Sequence, residues 1–343
     1  MYYYNNTKMH GMHESGGIMS ITGKKIFITG GYGFIGSALC QRIVGKNKLM
    51  LYDNERRNAL KYTELFSHPN ITAITGDIIN KPFISDAMQK FKPDIVIHLA
   101  AMAGVSDYFK YPLRTMEVNM LGTYNILDVA KDLPLEKFIN FSTSEVYGPF
   151  IFRAKEDELT SQGEVKQSRW TYSVSKLAAE HLCFSYQKQY NLPIISLRAF
   201  NIYGPGQVGE GAVQIFIPLA LKNKDILITN DGNQIRAWCY IDDMIDGIIL
   251  CLENKKATGE VFNIGSPKGT ITILGLAEKI IKLTNSKSKI KFIPHPSMDV
   301  ELRVPNIKKA EDILGFYPKI DLVEGLLRSI EWYKKIELPG ENI

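Results

Sequence analysis

The sequence predicts an α/β fold built on a doubly wound parallel sheet, with a smaller α+β lobe after it, and three observations predict it. Short apolar runs rich in Ile, Val and Phe alternate with helical patterns from residue 25 to residue 199. Most of these runs are apolar at successive positions, as strands covered by helices on both faces must be. After residue 201 the alternation gives way to shorter segments punctuated by Gly and Pro.

Strands are expected over 25–29 (KIFIT), 48–52, 71–75, 94–99 (DIVIHL), 137–142 (KFINFS) and 193–199 (PIISLRA). Each is a short apolar run bounded by Gly, Pro, Asp or Asn. Apolar spacing of three and four predicts helices over 34–44, 82–91, 113–131 and 172–190, and terminal helices over 307–314 and 322–334. Residues 1–23 carry no apolar run that a secretory signal would need and are expected to form a disordered tail, with Met19 as an alternative start.

Bulk properties narrow the function. The 343 residues carry a formal charge of +5, spread without a long Lys/Arg run, which argues against nucleic acid as partner. No apolar stretch reaches membrane-spanning length. Four cysteines, Cys40, Cys183, Cys239 and Cys251, are scattered without a CxxC or His-rich neighbour. Neither a metal site nor a disulfide framework is expected, and a reducing cytoplasm is the natural location.

Thr29-Gly30-Gly31-Tyr32-Gly33-Phe34-Ile35-Gly36 joins the first strand to the first helix. Glycines at 30, 33 and 36 allow a tight turn, close approach of backbone to a pyrophosphate, and a helix N-terminus aimed at negative charge. The fold is thus expected to be of the Rossmann type and to bind a dinucleotide. Asp53 ends the second strand where a carboxylate would hold the adenosine ribose; its charge favours NAD over NADP. Arg56 and Arg57 follow closely and would soften that preference. Asp77, after the third strand, either reaches the adenine or caps the next turn.

Tyr172 and Lys176 stand four residues apart, on one face of a helix. A phenol titrates near pH ~10 and is a poor base at neutral pH; a nearby ammonium, with a cationic nicotinamide, favours its phenolate. Upstream, Ser142-Thr143-Ser144-Glu145-Val146-Tyr147-Gly148 places hydroxyl and acid groups at a strand end that opens into the cleft.

With these residues the chain resembles the extended short-chain dehydrogenase/reductase family of nucleotide-sugar epimerases, decarboxylases and dehydratases. The matches run in order over about residues 24–335. They comprise the glycine loop, Asp53, Gly76-Asp77-Ile78, His98-Leu99-Ala100-Ala101, Asn119 with Gly122-Thr123, the Ser142 segment and the Tyr172 segment. Arg198-Ala199-Phe200-Asn201, Asp231-Gly232 with Arg236, Tyr240-Ile241-Asp242-Asp243, Phe262-Asn263-Ile264-Gly265 and Arg303 follow.

The resemblance implies NAD held by Gly30, Gly33, Phe34, Ile35, Gly36, Asp53, Asp77, Ile78, Leu99, Ala100, Ala101, Tyr172 and Lys176. It implies Tyr172 as catalytic base, Lys176 as its partner, and Thr143 as hydrogen-bond partner of the reacting hydroxyl. Ser144 and Glu145 occupy the place of the dehydratases' Asp-Glu pair. Asn201, Arg236 and Arg303 match contacts to the diphosphate or nucleotide of the sugar substrate. His98 reads as a satisfied structural histidine and Asn119 as a brace. Residues 24–200, with 238–265 returning to them, are expected to form the NAD-binding domain, and 201–237 with 266–335 the nucleotide-sugar lobe. Helices 113–131 and 172–190 would pair across a homodimer.

Removal of the sugar's C4 hydroxyl proton by Tyr172, with hydride passing to NAD, would yield a 4-ketone. Dehydration is disfavoured because Ser144 replaces a carboxylic acid. Decarboxylation remains open, since the family's UDP-glucuronate decarboxylases share Thr143-Ser144-Glu145-Val146-Tyr147-Gly148 and Arg303 matches their catalytic arginine. The 98–105 segment is closer to epimerases, so C4 epimerisation is the first expectation, with decarboxylation second and net 4-dehydrogenation or reduction also open. A non-catalytic NAD-sensing scaffold of the same fold would be expected to lack Tyr172 or Lys176.

Overall fold

The computed structural model describes residues 21–294 and 300–336. Its strands are β1 (Lys25–Thr29), β2 (Lys48–Asp53), β3 (Ile71–Thr75), β4 (Ile95–His98), β5 (Lys137–Thr143), β6 (Phe150–Ala154), β7 (Ile194–Ala199), β8 (Ile202–Tyr203), β9 (Ile226–Thr229), β10 (Ile235–Ala237), β11 (Cys239–Tyr240), β12 (Val261–Ile264), β13 (Thr270–Thr272), β14 (Ile290–Ile293) and β15 (Leu302–Pro305). Its helices are α1 (Phe34–Ile43), α2 (Lys81–Phe91), α3 (Val105–Lys110), α4 (Pro112–Met116), α5 (Gly122–Ala130), α6 (Thr171–Tyr190), α7 (Ala212–Leu221), α8 (Ile241–Glu253), α9 (Ile273–Thr284), α10 (Lys308–Leu314) and α11 (Leu322–Lys335).

Seven strands form one parallel sheet in the order β3-β2-β1-β4-β5-β7-β12. The strand order reverses between β1 and β4, which opens a crevice beyond their carboxyl ends. Central position decides composition: every residue of β5 is buried, whereas the edge strand β3 keeps its Thr residues towards solvent. Helices cover both faces of this sheet, as the unbroken apolar runs required.

The helix expected over 113–131 is interrupted. A π-helical turn, Glu117–Leu121, separates α4 from α5. It carries Asn119, whose amide accepts from Met102 N at 2.8 Å and donates to Met102 O and Ser175 Oγ. A side chain bonded to both the β4 segment and α6 accounts for the widened turn.

Beside the large sheet stand a four-stranded sheet, β13-β10-β15-β6, and the pair β9-β14. Strand β6 lies in a stretch assigned from sequence to the large lobe, yet it pairs with β15, Phe150 opposite Leu302 and Ile151 opposite Arg303. Gly148, at φ +95°, turns the chain across. A buried network runs from the large sheet towards the four-stranded one: Arg198 on β7 pairs with Glu180 on α6 at 2.6 Å and donates to Tyr147 Oη, which bonds Asn263 on β12. Asn263 in turn donates to the carbonyls of Ala154 and Asn306.

The expected tail is shorter than residues 1–23. Ile21 packs into the core and Gly23 N bonds Lys46 O at 2.8 Å, while residues 1–20, Met19 included, lie outside the described residues. No helix among the described residues is long and apolar enough to cross a membrane.

Candidate active site

A cleft of about 390 Å³ opens at the carboxyl ends of β1, β2, β4 and β5. Its floor is the glycine loop. Gly30 adopts φ +70°, and a Cβ there would fall 2.7 Å from Ala100 N. A Cβ on Gly36 would meet Gly30 O at 2.5 Å, so this glycine lets α1 pack on the turn that starts it. Gly33 caps α1 with extended backbone and lines the cleft, leaving the helix N-terminus open to an anionic ligand.

Asp53 ends β2, almost buried, and accepts backbone N–H bonds from Tyr32 at 3.0 Å and Glu55 at 2.8 Å. Burial raises its pKa and these N–H groups oppose the rise. Phe34, Ile35, Ile78, Leu99, Ala100 and Ala101 line the same cleft. Asp77 does not reach its wall: its carboxylate pairs with Arg114 at 2.5 Å and caps the turn at Ile79. Arg56 and Arg57 line the cleft but both pair with Asp107 on α3. Ser142 Oγ, buried and with no hydrogen-bond partner among the described residues, lines it too. A cradle closed to side chains, a ribose-side carboxylate and an unmet hydroxyl fit a dinucleotide that lacks a 2′-phosphate.

The candidate catalytic set comes from two elements. Thr143 is the last residue of β5, and α6 starts one residue before Tyr172, so Lys176 follows one turn on along the same face. Thr143, Tyr172 and Lys176 all line the cleft. Lys176 is 2% exposed; burial lowers its pKa to about 8, with Cys183 and Glu180 opposing.

The phenol's surroundings in the protein alone oppose ionisation. Burial first, then the Glu145 carboxylate, push the Tyr172 pKa up, while a hydrogen bond with Thr143 and the positive charges of Arg303 and Arg57 pull against them. The protein's own groups thus favour the protonated phenol. Thr143, Tyr172 and Lys176 would face NAD when it is bound, which would supply a hydride acceptor and a positive charge.

Glu145 forms the second focus. Its carboxylate receives Arg169 Nη1 at 2.9 Å on one oxygen and Arg303 Nη1 at 3.2 Å on the other. Burial alone would raise its pKa, but the two guanidiniums overcome that and bring it to about 2. Ser144 lies beside it, buried and on the cleft wall. Arg303 also lines the cleft and donates to Gly148 O at 3.1 Å. Arg236 is its register neighbour on β10, buried but one strand behind the wall. Asn201, at φ +20°, lines the cleft while its amide donates to Ala237 O.

His98 is fully buried between Thr29 Oγ1 at 2.7 Å and Thr123 Oγ1 at 2.9 Å, and burial lowers its pKa to about 3. It is a neutral strut, as the sequence suggested. Sequence reasoning missed Arg169, Asp107 and the 207–210 wall, where Gln207, Val208 and Glu210 line the cleft. The position of Arg169, one helical turn before Tyr172, was the available signal.

Fold and cleft together define an enzyme that binds NAD and performs redox chemistry on a hydroxyl beside it. A family model described as the NAD dependent epimerase/dehydratase family matches residues 26–265, and the chain belongs to that family. UDP-N-acetyl-alpha-D-glucosaminuronate decarboxylase of Bacillus cytotoxicus is 35% identical over 324 residues, spanning 92% of this chain and 99% of that protein. dTDP-D-glucose 4,6-dehydratase of Bos taurus is 33% identical over 340 residues, 95% of this chain and 93% of that one. The crystal structure of UDP-glucuronic acid 4-epimerase from Bacillus cereus with UDP-glucuronic acid and NAD aligns with a TM-score of 0.83 at 33% identity, over 91% of this chain and 99% of that one. The chain is an NAD-dependent enzyme.

Proposed function

We propose that the protein oxidises a UDP-hexuronate at C4 and that the C5 carboxylate then leaves as carbon dioxide. The observation that carries this reading is the Arg169–Glu145–Arg303 cluster, two cations and one anion, with Arg303 on the cleft wall. Its net positive charge suits one carboxylate of the substrate. Because Glu145 is held ionised, with Ser144 beside it, this corner offers no carboxylic acid to expel a C6 hydroxyl, which disfavours dehydration.

Thr143 and Tyr172 hold the C4 hydroxyl; Tyr172, after losing its own proton to solvent as positive charge arrives with the dinucleotide, takes the hydroxyl proton as hydride leaves C4. The ketone makes the carboxylate a β-keto acid. Its C–C bond electrons pass into an enolate at C5 as carbon dioxide departs, a proton from solvent adds to C5, and hydride returns to C4 as Tyr172 gives its proton back to O4. Lys176 holds positive charge beside the phenol throughout. Asn201 and Arg303 meet the substrate from the small-lobe side.

Sequence reasoning placed C4 epimerisation first; the Glu145 setting, together with decarboxylases among the relatives, moves decarboxylation ahead of it. Epimerisation of the same hexuronate is the second reading, supported by the likeness to the Bacillus cereus epimerase. Incubation with UDP-glucuronate and UDP-N-acetylglucosaminuronate labelled with carbon-13 at C6, read by NMR, separates them. Labelled carbon dioxide and a UDP-pentose support decarboxylation; a C4 epimer that keeps its label supports the second reading; no conversion of either uronate overturns both.

The reading includes a homodimer in a reducing cytoplasm. Leu113, Leu121 and Tyr124 leave an apolar face exposed along α4 and α5, and all four cysteines are buried and unpaired. Sedimentation that shows only monomer at micromolar concentration contradicts the dimer.

A further inference from the structure

We propose that Asp107 decides which dinucleotide the cleft accepts, by holding Arg56 and Arg57 away from the ribose end where they would bind a 2′-phosphate. The two arginines stand three and four residues after Asp53 and line the same cleft. A pair of guanidiniums just beyond the ribose-binding carboxylate is the arrangement that would accommodate a phosphate on the ribose. Left to themselves, they would offset the repulsion that Asp53 exerts.

They are not left to themselves. Arg56 pairs with Asp107 Oδ1 and Arg57 Nη2 with Asp107 Oδ2 at 3.2 Å, so one carboxylate, 6% exposed, takes both. Both pairs run from the β2 loop to α3, on the other side of the crevice between β1 and β4. Room for Arg57 comes from two glycines. A Cβ on Gly209 would lie 2.7 Å from Arg57 Nη1, and Gly104 also abuts its guanidinium. Arg57 is consequently close enough to the catalytic end for its charge to act on Tyr172. Asp107 itself is anchored by the α3 turn, where its N–H bonds Gly104 O at 3.1 Å. The neighbouring Ser106 binds Glu210 of the 207–210 wall.

The inference concerns the dinucleotide and stands whichever sugar is turned over. The test is equilibrium binding of NAD and of NADP to the purified full chain by calorimetry, for wild type, Asp107→Asn, Asp107→Glu, and Asp107→Asn combined with Arg56→Ala and Arg57→Ala. The ratio of the NADP Kd to the NAD Kd is expected to fall about tenfold in Asp107→Asn, about the weight of one charge-assisted contact. It should stay at the wild-type value in Asp107→Glu and return towards it when the arginines are removed. A ratio that stays within about threefold of wild type in Asp107→Asn overturns the proposal. So does a fall that persists without the two arginines. Should Asp107→Asn fail to fold, Asp107→Ser takes its place, and the same two results overturn the proposal.

Discussion

Arg169, one helical turn before Tyr172, meets Glu145 at 2.9 Å, both side chains largely buried. The guanidinium of Arg169 also lies over the Tyr108 ring at 5.4 Å, and that ring stacks on Tyr172. One arginine thereby fixes both the charge at the substrate end of the cleft and the wall behind the phenol. Removing it as Arg169→Leu leaves Glu145 with Arg303 as its one remaining guanidinium partner. Breaking a buried pair costs about 3–5 kcal/mol, measurable by denaturant unfolding.

The same pair sets an acid limit. The folded pKa of Glu145, about 2, lies below its unfolded value, so its contribution to stability is present above the ordinary carboxylate range and is lost as pH falls towards 2. In Arg169→Leu the folded pKa rises, and the acid limb of kcat/KM should move to higher pH. An unmoved acid limb would show that Glu145 does not depend on Arg169.

Tyr172→Phe removes the group proposed to take the C4 proton but leaves the glycine cradle and Asp53 intact. Turnover should drop about 10²–10⁴-fold, with NAD affinity unchanged by calorimetry. Equal loss of binding and turnover would assign the phenol to cofactor binding alone.

Gly30→Ala should damage both folding and NAD binding, because Gly30 sits at φ +70° with Ala100 backbone 2.7 Å from any Cβ. The cost is about 1–3 kcal/mol for the backbone conformation, before the clash. Gly45→Ala, where nothing lies within 4 Å, is the matched control and should leave the melting temperature nearly unchanged.

His98 predicts a second pH dependence. Its folded pKa of about 3 lies below the unfolded value, so between the two the unfolded chain binds the extra proton and stability rises with pH. As pH falls below ~6.5 this one group should remove about 1.4 kcal/mol per pH unit. Urea unfolding at neutral pH and near pH ~5 should show a shallower slope for His98→Asn than for wild type, whatever that variant loses outright. Equal slopes would mean that His98 is not buried neutral.

The large sheet was legible because its strands are buried on both faces, so KIFIT, DIVIHL and KFINFS announce themselves without their partners. The glycine loop was legible for the same reason, since backbone geometry is written in residue type. What escaped depended on contacts distant in sequence. Phe150–Ala154 reads as an ordinary apolar stretch until β15 arrives, roughly 150 residues later, to pair with it. The π-turn at Glu117–Leu121 follows from where Asn119 bonds, not from local periodicity. Arg56 and Arg57 carried their charge in plain view, but their partner lay some 50 residues on. The Tyr172–Lys176 spacing located the cleft, whereas the burial and the Glu145 carboxylate that raise the phenol's pKa depend on residues distant in sequence.

The proposed chemistry rests on hydride leaving C4 of the sugar for the dinucleotide. Wild-type enzyme with its NAD, mixed with UDP-hexuronate carrying deuterium at C4 and quenched within one turnover, reports that step by mass analysis of the cofactor. The structure predicts that deuterium appears on the reduced dinucleotide before product is complete. Full conversion of substrate with a cofactor that never carries the label would contradict it.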